Sequence, residues 1–198
     1  MNNLKNNITA LIIAAGFSSR MKKFKPLLGY NGESFIQNIA VKLNLISNGI
    51  TIVTGYNSHL LEEHITQWQP ELKSKTQIIF NSNYNKGMFA SLKKGVENCK
   101  TDWLLYHFVD QPNIPEKFYY EFTRQSREAC DWLQPLHKGK KGHPIIFNKK
   151  VMEIILSEED DSNLKKISMR DDIEKKYWVC KFKEVLNDFD TVSDLDKL

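Results

Sequence analysis

Cysteine is scarce and unpatterned in this 198-residue chain: Cys99, Cys130 and Cys180 lie far apart, are odd in number and form no C-x-x-C pair. Neither a disulfide framework nor a thiolate zinc site is indicated. No apolar run approaches the roughly 20 residues of a membrane-spanning helix. The segment Met1 to Asn7 lacks the apolar centre of a secretory leader, so a reducing cytoplasm is the expected setting. One-signed charge is missing too: 28 Lys and Arg face 24 Asp and Glu, a formal net charge of +4. That surplus is small and dispersed, with local concentrations such as Lys22–Lys23 and Lys138, Lys140 and Lys141, so neither nucleic acid nor a membrane is expected as a partner. The glycine spacings G-x-G-x-x-G and G-x-x-x-x-G-K-[ST] are both absent, which argues against a dinucleotide-dependent dehydrogenase and against a P-loop. With no repeat, low-complexity linker or composition break, the expectation is one domain, 1–198, long enough to bury a real core.

What the chain does have is alternation. Thr9–Ala14, Ile50–Thr54, Thr76–Phe80 and Trp103–Val109 are short apolar runs that read as strands. Between them come helical stripes: Phe35, Ile36, Ile39, Ala40, Leu43 and Ile46; then Leu61, Ile65 and Trp68; then Phe89, Leu92 and Val96. Phe118, Phe122 and Ala129 make a fourth. Repeated strand–helix units predict right-handed crossovers and an α/β fold, a mostly parallel sheet with helices on both faces. From about residue 131 the pattern changes. Asp131–Leu136, the Gly139–Gly142 turn and Pro144–Phe147 predict a small antiparallel hairpin. A helix at Val151–Leu156, a polar loop and helix from Glu158 to Asp172, strands at Tyr177–Phe182 and Glu184–Phe189, and a closing helix at Thr191–Leu198 complete the expectation.

Ligands of such sheets bind at the carboxyl ends of strands. Leu11–Lys25 breaks there from an apolar run into Ala14-Ala15-Gly16 and then supplies Arg20 and Lys25. Small residues let backbone N–H groups approach a phosphate and the two cations add charge; an ordinary solvated loop fits the same residues. Asp110-Gln111-Pro112 follows the most hydrophobic strand, where Asp110 is either a turn former or a magnesium ligand acting with substrate phosphates. Asp188 and Asp190 have the period-two spacing of an extended chain, with helix capping as the plain alternative. Gly87 and Ser91 lie in a strand-to-helix loop, and Gly142-His143-Pro144 in a turn whose lone histidine is more often structural than catalytic. No Ser-His-Asp or Cys-His constellation is apparent.

Taken together, A-A-G-x-S-S-R-M…K at Ala14–Lys25, Lys86–Ser91, Asp110–Pro112, Gly142–Phe147 and Asp188–Thr191 before Asp194-Leu195 resemble the MobA-like nucleotidyltransferases, in order and over nearly the whole chain. D-Q-P and G-H-P are most similar to the molybdenum cofactor cytidylyltransferase branch. The resemblance implies a Rossmann-like, nucleotide-diphospho-sugar transferase-like fold. It also implies transfer of a nucleoside monophosphate, with CTP as donor and a phosphorylated small molecule, molybdopterin, as acceptor. Carried onto this chain, Ala14, Ala15 and Gly16 line the base and phosphate pocket. Arg20 and Lys25 meet the phosphates, and Asp110 and Asp190 hold Mg²⁺. Gly87, Ser91 and Gln111 contribute to the nucleotide site, and Gly142, His143 and Pro144 shape the acceptor side. A molybdenum hydroxylase is the partner so implied. Lys22, where Gly usually follows R-M, Tyr106 and His107 in place of small aliphatics, and the lack of G-D-x-G-A-R in Asp160–Arg170 depart from the pattern. Two other functions fit these residues: transfer to a sugar 1-phosphate or phosphocholine, and a non-catalytic cofactor-binding or insertion chaperone, against which Arg20, Lys25 and Asp110 together argue.

Overall fold

Burial on both faces dictates the central strand. In β1 (Ile8–Ala14) the residues Ile8, Ala10, Ile12 and Ala14 enter one hydrophobic cluster, while Leu11 and Ile13 enter a second on the opposite face. The computed structural model describes residues 7–17, 23–126, 130–190 and 194. After β1 come a small hairpin, β2 (Gly29–Tyr30) and β3 (Glu33–Ser34), then α1 (Phe35–Asn44), β4 (Gly49–Thr54), α2 (Ser58–Thr66), α3 (Pro70–Ser74) and β5 (Thr76–Phe80). Next are α4 (Met88–Glu97), β6 (Trp103–Phe108) and α5 (Glu116–Gln125). The remainder supplies β7 (Trp132–His137), β8 (Lys140–Lys141), β9 (Ile145–Asn148), α6 (Lys149–Ser157), α7 (Leu164–Ser168) and β10 (Lys175–Val179).

The main sheet runs β10-β7-β9-β6-β1-β4-β5, with β8 beside β7. β6, β1, β4 and β5 are parallel, β9 is antiparallel to both β6 and β7, and β10 is parallel to β7. Buried residues of α1, α2, α3 and α5 join the Ile8 cluster, and those of α4, α6 and α7 join the Leu11 cluster. The fold is therefore the expected mixed α/β sheet with helices on both faces and a small antiparallel hairpin region: the two strands expected there, β7 and β9, pair antiparallel, and Lys140–Lys141, read as turn, forms β8 against β7. From β1 the chain builds outward to β4 and β5, then returns to place β6 on the other flank of β1. That reversal is a topological switch point, and it opens a crevice at the carboxyl ends of β1 and β6.

Two differences from the sequence-based expectation matter. Glu184–Phe189 is not a strand: a 3-10 turn at Lys183–Leu186 is followed by extended chain. Val185 and Phe189 share the parity of a strand face and both are buried, but the chain turns at Lys183–Leu186 to reach those positions, so the alternation misleads here. The strand expected at Tyr177–Phe182 begins and ends earlier, at Lys175–Val179. The β2–β3 hairpin, absent from the expectation above, turns on Asn31-Gly32, both at positive φ (51° and 84°), a dipeptide signal that the sequence does carry. Ala129 and the closing helix, Asp194 apart, lie outside the described residues. No helix among the described residues is long and apolar enough to cross a membrane.

Gly142 fixes the approach of this late segment to the sheet. Its N–H donates to the Pro135 carbonyl (2.9 Å), and the next residue, His143, donates its N–H to the Val185 carbonyl (3.0 Å). A Cβ on Gly142 would stand 2.6 Å from both Val185 O and Val185 Cγ2. Because a backbone atom is one of the obstacles, Gly142→Ala is expected to destabilise the protein by about 1–3 kcal/mol through overpacking. Equilibrium urea unfolding would measure it, and an unchanged midpoint would contradict this packing.

Candidate active site

A cleft of about 430 Å³ opens at the switch point. Its floor is the end of β1 and the turn after it, where Ala14 and Ala15 are buried and Gly16 and Phe17 are exposed. One wall is Phe108–Asp110, at the end of β6; another is the loop leading into α4, with Tyr84, Asn85, Gly87, Met88 and Ser91. Lys25, Pro26 and Asp190 complete the lining. Of the residues expected at a nucleotide site, Ala14, Ala15, Gly16, Lys25, Gly87, Ser91, Asp110 and Asp190 thus meet around one cavity. Gln111, Gly142, His143 and Pro144 are not part of its lining, and Arg20 lies outside the described residues.

Lys25 begins a 3-10 turn, Lys25–Leu27, that aims its ammonium across the cleft. Lys25 Nζ donates to Asp190 Oδ1 at 2.7 Å and lies 3.5 Å from Asp110 Oδ2, joining residues 165 and 85 positions apart in sequence. Burial pushes the Asp110 carboxyl up to about 6; Lys25 opposes the shift, and the Asp188 and Asp190 carboxylates reinforce it. Burial also raises Asp188, opposed by a hydrogen bond from Gln111. Asp110 Oδ1 is buried and has no hydrogen-bond partner among the described residues.

The loop into α4 is held from behind. Asn81 Nδ2 donates to Ser91 Oγ (3.0 Å), and Asn81 Oδ1 accepts the Asn83 N–H (3.0 Å). Gly87, at φ +114°, occupies backbone space that side-chain-bearing residues rarely enter. The exposed Phe17 ring packs against Tyr56 and Tyr84, with centroids 5.3 and 5.4 Å away. Beneath Asp110, the fully buried His107 bonds the Phe108 carbonyl (2.6 Å) and the Tyr119 hydroxyl (2.7 Å), and burial pushes its pKa down to about 3. Lys42 donates to the Pro112 carbonyl (2.6 Å), its pKa lowered to about 8 by burial. No motif marks Lys42 in the sequence; it is an ordinary helix lysine that the fold turns inward. His143 lies against the Phe108 ring (4.2 Å) and burial brings its pKa to about 4, too weak a base to serve near neutral pH. Asp160, in the stretch that departs from the family pattern, pairs with Lys86 and Lys93, each at 3.3 Å.

No three Asp, Glu, His or Cys side chains among the described residues gather closely enough to cage a metal alone. Magnesium does not require that: it takes one or two carboxylates together with substrate phosphates and water. Asp110 and Asp190, hard oxygen donors that share one lysine, fit such an ion, and Asp110 Oδ1, which has no hydrogen-bond partner among the described residues, is an acceptor open to it.

This charge arrangement opposes folding. The folded-state pKa of Asp110, about 6, exceeds its reference value of 3.8, so folding binds a proton between those values and stability falls as pH rises through that window. Asp110→Asn is therefore expected to raise the Tm of the metal-free protein by a few degrees at about pH 8. The gain should vanish below about pH 4, where both forms are neutral. A thermal melt series would show it; a lower Tm at pH 8 would contradict the assignment.

Residues 10–174 match the MobA-like NTP transferase domain family. Over 188 residues, 94% of this chain and 93% of the relative, the sequence is 26% identical to the molybdenum cofactor cytidylyltransferase of Escherichia coli K12. A probable molybdenum cofactor guanylyltransferase of Bacillus cytotoxicus is 23% identical over 156 residues, 75% of this chain and 72% of that protein. The crystal structure of Rv0371C from Mycobacterium tuberculosis H37Rv in complex with manganese shares the fold, with a TM-score of 0.79 at 16% identity over 98% of each chain. The chain belongs to the MobA-like NTP transferase family and is a nucleotidyltransferase, with molybdenum cofactor cytidylyl- and guanylyltransferases among its homologues.

Proposed function

We propose that this enzyme moves CMP from CTP onto the terminal phosphate of molybdopterin, or of the molybdenum cofactor built on it, with Mg²⁺ and release of pyrophosphate. The observation that carries the reading is the Lys25 ammonium held between Asp110 and Asp190 in a cleft at the sheet's switch point. In the reaction an acceptor phosphate oxygen bonds to the α-phosphorus as the bond to the bridging oxygen breaks and pyrophosphate leaves. The attacking phosphate is already an anion, so the weak basicity of His107 and His143 is no obstacle. Alignment and charge neutralisation are what the protein must supply.

Each residue then has a task. Lys25 stabilises negative charge that develops at the α-phosphoryl group, and Arg20 binds the phosphates. The short side chains of Ala14, Ala15 and Gly16 admit the nucleotide against the backbone. Gly87 and Ser91, with the Phe17 and Tyr84 rings nearby, enclose the base. Mg²⁺ held by Asp110 and Asp190 would supply further phosphate charge neutralisation. The manganese complex of the Mycobacterium tuberculosis structure is consistent with a divalent ion in this fold. CTP is favoured over GTP because the cytidylyltransferase relative aligns over 94% of the chain, whereas the guanylyltransferase covers 75%. A second pocket of about 170 Å³ shares Met88 with the main cleft and is lined also by Phe89, Leu92, Tyr106, Ser162, Asn163 and Leu164, a mixed surface with room for part of the acceptor. A molybdenum hydroxylase would be the consumer of the product.

Pyrophosphate release by the purified protein across four NTPs and several acceptors tests this reading. Turnover is expected with CTP and molybdopterin; turnover confined to sugar 1-phosphates or phosphocholine would overturn the acceptor, and GTP preference the donor. Lys25→Ala should lower kcat by roughly 10²–10³ while CTP affinity changes much less. Unaltered kcat would remove Lys25 from its role.

A further inference from the structure

The segment Val185–Asp190 brings Asp190 to Lys25, yet it forms no strand. Part of what holds it is backbone: the Val185 carbonyl accepts the His143 N–H (3.0 Å), and the Phe189 N–H donates to the Asp110 carbonyl (2.9 Å). Phe189 also sets its ring edge-on to Phe35, 6.0 Å between centroids. A further tie is made by one buried side chain, Gln111, beside the core packing of Val185 and the Asp190 N–H bond to Asp194 Oδ2 (3.2 Å). Gln111 is 1% exposed, follows Asp110 directly, and its Nε2 donates to Asp188 Oδ1 at 2.8 Å and to the Val185 carbonyl at 3.3 Å.

That amide has two N–H groups, and both have acceptors on this segment. Its Oε1 is buried and has no hydrogen-bond partner among the described residues. Turning the amide over would set its oxygen against a carboxylate and a carbonyl, so the orientation is forced. A Met side chain would fill similar volume without stranding an oxygen. The residue is therefore suited to its position by its donors rather than its bulk. Asp188 precedes Asp190 by two residues, so a grip on Asp188 and Val185 sets both the depth and the direction of Asp190.

We propose that Gln111 is a positioning residue for nucleotidyl transfer: its amide clips Val185–Asp190 onto the turn that carries Asp110, and so aligns the Asp190 carboxylate with Lys25. The proposal deepens the metal-nucleotide reading above and rests on it wherever metal binding is measured.

Gln111→Met in the full-length protein tests it through two readouts besides turnover. Amide exchange at Phe189, whose N–H reports the register against Asp110, should accelerate about tenfold or more. The apparent Kd for Mn²⁺ should weaken by roughly 10–100-fold, as when a partner that orients a metal ligand is removed. Tm should change little, because removing the stranded oxygen offsets the two hydrogen bonds lost. Asp188→Ala should reproduce both effects, and the double variant should be no worse than Asp188→Ala alone, since the two residues act as one unit. Wild-type Phe189 exchange and wild-type Mn²⁺ affinity in Gln111→Met would overturn the proposal. So would a lowered Tm with Mn²⁺ affinity intact, which marks Gln111 as packing only. If the wild-type protein itself neither binds Mn²⁺ nor turns over any NTP, the function proposed above fails, while the Phe189 exchange still decides whether the clip exists.

Discussion

One lysine shared by two carboxylates organises this molecule. Lys25 reaches Asp190 at 2.7 Å and Asp110 at 3.5 Å, and a third carboxylate, Asp188, is near enough to raise Asp110 further. Among the described residues one ammonium faces three acidic groups, and burial already disfavours the ionised Asp110. Such a cluster is poor design for stability and good design for receiving a cation that arrives with phosphate oxygens. The unsatisfied Asp110 Oδ1 has the same meaning: a buried acceptor without a donor is costly in the free protein and is relieved when a ligand occupies it.

The fold exists to bring those groups together. Adjacent strands lie ~4.8 Å apart, so placing β6 directly beside β1 sets the end of one strand within side-chain reach of the loop after the other. The reversal in strand order leaves that edge open to ligand rather than covered by a crossover helix. The late segment is less regular, and it is positioned by particular contacts: Gly142 against Val185, Phe189 against Phe35, Gln111 on Asp188. Regular secondary structure delivers Asp110; hand-fitted contacts deliver Asp190.

This division explains what the sequence disclosed. Buried parallel strands leave continuous apolar runs, so β1, β4 and β6 were legible to within a residue of their ends, as was the half-exposed edge strand β5, and their helices from stripes such as Phe35–Ile36–Ile39–Leu43. Motif resemblance pointed to the residues that now line the cleft. Periodicity failed at Glu184–Phe189, where the chain follows side-chain contacts rather than a ladder. Gln111 illustrates the gap most clearly. Beside Asp110 in sequence it invited a role on the nucleotide, but its side chain belongs to a segment 77 residues away, a pairing that no local pattern encodes. Lys42, 70 residues from the Pro112 carbonyl it holds, is invisible for the same reason.

The most direct measurement is anomalous scattering from crystals grown with Mn²⁺ and a non-hydrolysable CTP analogue. The account predicts a manganese peak in contact with the Asp110 and Asp190 carboxylates and the analogue's phosphates, with the Lys25 ammonium on the α-phosphoryl oxygens. An ordered nucleotide bound elsewhere, or a metal that leaves both carboxylates untouched, would contradict it.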